Sequence, residues 1–157
     1  MADIVNDGMT RVAFVPTISS AAAPTVAEIG AGVDLESFLT PDGLGIELGD
    51  EAVDTSALNS TFSTEKAGRG TVSIELTFKD QGAANPPWTT FASRPAGYLV
   101  VRTGVATTTD WTAAQKVDIY TVKAGDRKSA APAANEVAKF SVQLFSTADP
   151  SIAATVA

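Results

Sequence analysis

The segment Thr71–Phe78 constrains this chain more than any other. Val72, Ile74, Leu76 and Phe78 alternate without a break with Thr71, Ser73, Glu75 and Thr77. Successive side chains of a strand point to opposite faces, so a period of two predicts a strand with one buried and one wet face. Ala138–Ser146 repeats the pattern, with Ala138, Phe140, Val142 and Leu144 inward and Lys139, Ser141 and Gln143 outward. Gly97–Thr103 is more continuously apolar through Tyr98, Leu99, Val100 and Val101, which predicts a central strand covered on both faces. Lys116–Lys123, Thr10–Pro16 and a short Ile46–Leu48 complete the set of expected strands.

Helical signals are sparse. Asn85 before Pro86 and Pro87 places an N-cap ahead of a proline-led first turn, predicting a short helix over Pro86–Ala92. Thr25 with Glu28 forms a capping box, but Gly30 and Gly32 stop it within a turn or two. The expected fold is mainly β, a sandwich or partly open barrel with one short helix. At 157 residues it is expected to be a single domain over 1–157. Thr40–Gly70 is read as a long irregular loop, rich in glycine and acidic residues; such a segment is usually functional or ordered by a partner. Residues 1–9 and 148–157 are read as arms that are flexible or ordered on assembly.

Composition removes whole classes of chemistry. The chain contains no cysteine and no histidine, so disulfides, thiolate metal sites and a Ser-His-Asp arrangement are unavailable. Lys and Arg total 11 against 18 Asp and Glu, a net charge of −7, which opposes sequence-nonspecific binding to nucleic acid. No stretch approaches the ~20 apolar residues of a membrane span. The beginning of the chain, with Asp3 and Asp7, does not read as a signal peptide, so the protein is expected to be made in the cytoplasm. Much of the apolar content is alanine, which suits close subunit contacts.

The remaining motifs have plainer readings than catalysis. Gly43, Gly45 and Gly49 lack the spacing of a phosphate cradle, and Asp42-Gly43 reads as a turn dipeptide. Gly125–Ser129 lacks the upstream glycine of a P-loop and reads as a solvated turn. Asp50, Glu51 and Asp54 do not match a calcium-loop spacing. Trp88 and Trp111 read as core or subunit-contact aromatics rather than a sugar platform. The chain is therefore expected not to be an enzyme and to hold no cofactor or metal.

Several phrases in fixed order resemble one family, the major tail (tail tube) proteins of siphophages infecting actinobacteria. They are Pro24-Thr25-Val26-Ala27-Glu28-Ile29, Gly32-Val33-Asp34-Leu35, Phe38-Leu39-Thr40-Pro41-Asp42-Gly43 and Thr55-Ser56-Ala57-Leu58. Gly97–Arg102, Lys116–Tyr120 and Asn135–Val142 extend the resemblance over roughly residues 10 to 150. The resemblance implies hexameric rings that stack into a non-contractile tube, through which phage DNA leaves the capsid without specific binding. It also implies a place in the virion, with tape measure, tail terminator and tail-tip proteins as partners.

On that reading Glu47, Asp50, Glu51, Glu75 and Asp118 are candidates for an acidic lumen wall, since like charge keeps phosphate from adhering. Asp42, Gly43, Asp54, Leu58, Phe62, Ile152 and Val156 are candidates for contacts between rings. The open alternatives are a ring protein of a contractile or type VI injection machine, and a capsid decoration or host-binding module.

Overall fold

The computed structural model describes residues 2–157; Met1, the first residue of the expected N-terminal arm, lies outside them. Eight strands and two one-turn helices follow in the order β1 (Thr10–Val15), α1 (Val26–Gly30), β2 (Val33–Asp34), β3 (Leu39–Asp54), β4 (Glu65–Lys79), α2 (Pro86–Thr90), β5 (Ala96–Thr103), β6 (Lys116–Ser129), β7 (Lys139–Ser146) and β8 (Ser151–Thr155). They form one antiparallel sheet ordered β2-β1-β5-β6-β7-β4-β3, with β8 paired to β6. The mainly β, partly open architecture expected from the periodicities is the one observed.

The sheet curls around an inner layer that joins its two ends. Phe14 of β1, Leu99 of β5, Val122 of β6, Val142 of β7 and Leu76 of β4 meet there with Leu35 and Leu39. Aromatic rings run through this layer: Phe14 lies 5.1 Å from Phe91, Phe91 5.8 Å from Phe78, Phe78 5.3 Å from Phe140, and Phe140 5.0 Å from Trp88. Fully burying side chains of this size contributes about 1.5–3 kcal/mol each. A second apolar layer lies on the other face of β1, β5 and β6, where Val15, Val100 and Ile119 meet Ile18, Ile29, Trp111 and Val156.

The two layers explain the two sequence patterns. β5 is covered on both faces, and its burial is nearly continuous from Leu99 to Arg102. β4 and β7 are covered on the inner face only, so they keep the strict alternation.

Four expectations are corrected. Thr40–Gly70 is not an irregular loop: it lies in β3, β4 and the turn between them, a long hairpin paired from Leu44↔Leu76 to Asp54↔Glu65. Most of it touches no core, so no burial pattern marks its sequence. Two short helices form rather than one, because the Thr25 capping box closes, with Glu28 N–H donating to Thr25 Oγ1 at 3.2 Å and Thr25 N–H to Glu28 Oε2 at 3.0 Å. Gly125–Ser129 continues β6 through a register shift instead of turning. Residues 148–157 are not a loose arm, since β8 pairs with Lys116–Ile119 and Val156 is 1% exposed.

One buried charge holds the outer layer together. Arg102 is wholly enclosed, and its guanidinium donates to the carbonyls of Ala106, Thr109 and Asp110 and to Gln115 Oε1, at 2.9 to 3.2 Å. Its carbon lies 4.9 Å from the Trp111 ring centroid, and Arg11 stands at 5.1 Å from the same ring. Burial, and then the charge of Arg11, hold the Arg102 pKa below its ordinary value. The segment between β5 and β6 is thus tied down by a cation, not by strand pairing.

Candidate assembly surface

On β3, β4, β7 and the second half of β6, the outer face of the sheet has no covering layer. Residues directly opposite one another across a ladder share a face. The registers Lys123↔Phe145, Phe145↔Ser73 and Ser73↔Glu47 therefore place these four side chains in one row across the four strands. A second row runs Gln143↔Glu75↔Gly45, and a third runs Lys128↔Ser141↔Thr77. The face is polar apart from Phe145, which is 53% exposed.

The β3–β4 hairpin then runs on past the subunit. Every residue from Glu47 to Thr71 is exposed. An isolated two-stranded ribbon is marginally stable in water, so this one depends on its own turn chemistry. At the tip Thr55 N–H donates to Thr64 O at 2.8 Å, Thr64 N–H to Ser56 Oγ at 2.9 Å, and Ser56 N–H to Asp54 Oδ1 at 2.8 Å. That backbone N–H also holds the Asp54 pKa below its ordinary value. Gly68 is required at the bulge, because a Cβ there would stand 2.7 Å from Val53 Cγ2 and 2.9 Å from Glu51 O. Leu58, at 107% exposure, and Phe62, at 77%, are presented to solvent.

Against this geometry the acidic candidates divide. Glu47 and Glu75 share the uncovered face, and Glu51 continues the Glu47 side of β3 by alternation. Asp50 alternates onto the other side, where it lines an open recess with Ser146–Pro150. Asp118 is apart from all of them: it pairs with Val101 and accepts the Ala153 N–H at 2.8 Å beneath β8.

The contact candidates also divide. Asp54, Leu58 and Phe62 cluster at the hairpin tip, and Ile152 is exposed on β8. Asp42 is exposed at the hairpin root and accepts from Thr40 Oγ1 at 3.3 Å. Gly43 is buried, where a Cβ would lie 2.3 Å from Thr77 O; it serves a close backbone approach, not a surface. Val156 likewise belongs to the core of its own subunit, because the chain end folds back and Val156 N–H donates to Gln115 O at 2.9 Å.

Sequence reasoning missed a basic recess beside the uncovered face. Arg94, Lys123 and Lys128 line it with Asp126, Gln143 and Phe145. The signal was present in Phe145, which breaks the phase of the β7 alternation by putting an aromatic ring outside. Among the described residues no group of three or more metal-ligating side chains stands together, and no helix is long and apolar enough to cross a membrane.

A curled β subunit with a bare polar sheet face and a ribbon projecting beyond its own core has the form of an assembly component. The family model for phage tail tube proteins matches the chain over residues 1–157, and the chain belongs to that family. It is thus a structural tail protein of a phage virion, a member of a class that assembles into multi-subunit tail structures. Among curated protein sequences none matches it. Its fold is similar to a chain in the cryo-EM structure of the anti-feeding prophage (AFP) baseplate, 6-fold symmetrised. The TM-score is 0.60 at 11% identity, over 96% of this chain and 95% of that one.

Proposed function

We propose that this chain is the tube-forming subunit of a non-contractile phage tail. Copies join head to tail into closed rings, six to a ring, and the rings stack into a conduit for DNA. The observation that carries this is the β3–β4 hairpin, exposed from Glu47 to Thr71 and stable in isolation only marginally. A heterologous contact that closes by rotation makes a ring, and one that does not close continues along an axis. The uncovered face with Glu47, Glu51 and Glu75 supplies the lumen wall, whose negative field keeps phosphate from adhering. Leu58 and Phe62 at the tip and Ile152 on β8 carry contacts between rings. The tape measure, terminator and tail-tip proteins set length and ends. No step requires a catalytic group, and the protein is not an enzyme on this reading.

A second reading is a ring protein of a contractile machine, favoured by the fold likeness to a chain of the anti-feeding prophage baseplate. Negative-stain microscopy of purified protein over a concentration series, with and without tail tips, tests the tube. Hollow tubes support it, and monomers that stay monomeric on tail tips refute it. Bare tubes in intact particles favour the non-contractile reading; a surrounding sheath favours the second.

A further inference from the structure

The uncovered face carries opposite charge at its two edges, with Glu47 on β3 and Lys123 and Lys128 on β6. At the β3–β4 end, the segment from Glu47 to Thr71 holds Glu47, Asp50, Glu51, Asp54 and Glu65 against Lys66 and Arg69, a net −3. At the β6 end, Arg94, Lys123 and Lys128 face a single acid, Asp126, for a net +2 in a chain of net −7. Asp126 is already engaged by Arg94 Nε at 2.6 Å, which leaves Lys123 and Lys128 free to pair.

Within the hairpin two acids face each other. Asp54 and Glu65 stand directly opposite each other in the ladder. Like charges in that position destabilise a strand pair. Four other recesses are lined by net-negative or neutral sets. Asp50 and Asp149 line the one beside β8; Asp7, Glu36 and a lone Lys79 line one beside the start of β1 and β3; Glu136 offsets Lys139 in a third; Asp50, Glu51 and Glu65 outnumber Lys66 in the fourth, on the hairpin itself. The Arg94–Lys123–Lys128 recess carries uncompensated positive charge, and the exposed Phe145 at its side matches the apolar Leu58 and Phe62 of the hairpin tip.

Resting on the tube reading above, we propose that the basic recess formed by Arg94, Lys123, Lys128 and Phe145 is the docking site for the acidic β3–β4 hairpin of a neighbouring copy of this chain. Both halves sit on every subunit at different places, so the contact is head to tail, closing into a ring or continuing along the tube axis. Its charges are exposed and therefore screened beyond ~8 Å at physiological ionic strength, so assembly through it weakens as salt rises.

The native chain has no cysteine, which makes single-cysteine variants diagnostic. Glu65→Cys chains mixed with Lys128→Cys chains, assembled and treated with a short bis-maleimide, should give a covalent heterodimer on a denaturing gel. Lys116→Cys, on β6 but distant from the recess, serves as the control and should give none. In parallel, Lys123→Glu/Lys128→Glu should raise the concentration needed for tubes at least tenfold, and mixing with Asp54→Lys/Glu65→Lys chains should restore copolymers. Tubes of the cysteine variants that crosslink Glu65→Cys to Lys116→Cys but not to Lys128→Cys would overturn the docking site and leave the tube intact. So would charge-reversed chains that assemble at the wild-type concentration. Wild-type protein that forms no tubes, alone or on tail tips, would overturn both.

Discussion

Leu48 stands directly opposite Val72 in the β3–β4 ladder, and the pair marks the rim of the subunit. Val72 still packs against the inner core, whereas Leu48 is 54% exposed. Inward of this pair the hairpin is part of a domain; outward it is a ribbon with no partner in its own chain. On the proposed reading, folding and assembly divide at this cross-strand pair.

Replacing residues 50–70 by Asn-Gly, a two-residue hairpin turn, tests that division. The shortened subunit should melt within a few degrees of the parent, because no buried residue is removed. It should form no tubes at concentrations where the parent does. A thermal melt and negative-stain images read both outcomes.

Arg102→Ala should destabilise the subunit by about 3 kcal/mol or more, since it strands buried carbonyls that accept from a charge. Arg102→Lys should recover only part, because an ammonium lacks the planar fork that reaches four acceptors. Urea unfolding with and without the substitutions measures the difference.

Gly43→Ala should cost about 1–3 kcal/mol, the usual penalty of forcing an atom into packed backbone. The added methyl would meet Thr77 O at 2.3 Å and Thr40 Oγ1 at 2.5 Å. Gly30→Ala, with nothing within 4 Å of its Cβ, is the matched control and should be close to neutral.

Glu28 gives the pH dependence a sign. Hydrogen bonds from Thr25 N–H, then from the Ser19 hydroxyl and N–H, hold its pKa down to about 2 from 4.5. A folded pKa below the unfolded one stabilises above the unfolded value, and the gain is lost as pH falls from about 4.5 through about 2. Glu28→Gln should flatten this part of the acid-unfolding curve, read by circular dichroism.

Much of this fold was legible because burial writes itself into sequence. Val72 to Phe78 and Phe140 to Leu144 alternate because one face is covered, and Leu99 to Val101 run on because both faces are. Between Gly49 and Gly70 the hairpin was illegible as strand for the same reason, since neither face meets a core and no period is imposed. β8 was hidden because its pairing with Lys116–Ile119 is non-local and its Ile152 points outward. The acidic half of the candidate surface was visible in Glu47, Glu51 and Glu75. The basic half was not, because the contributing residues Arg94, Lys123 and Lys128 are scattered in sequence and meet only through the β5–β6 and β6–β7 pairings.

A helical reconstruction of the assembled particle by cryo-electron microscopy decides whether the β3–β4 hairpin joins copies of this subunit. The expected result is stacked rings in which each β3–β4 hairpin is buried against a neighbouring copy and Glu47 and Glu75 face a hollow lumen. Hairpins free in solvent on the outer wall, with subunits joined through other surfaces and a lumen lined by Lys123 and Lys128 alone, would contradict it.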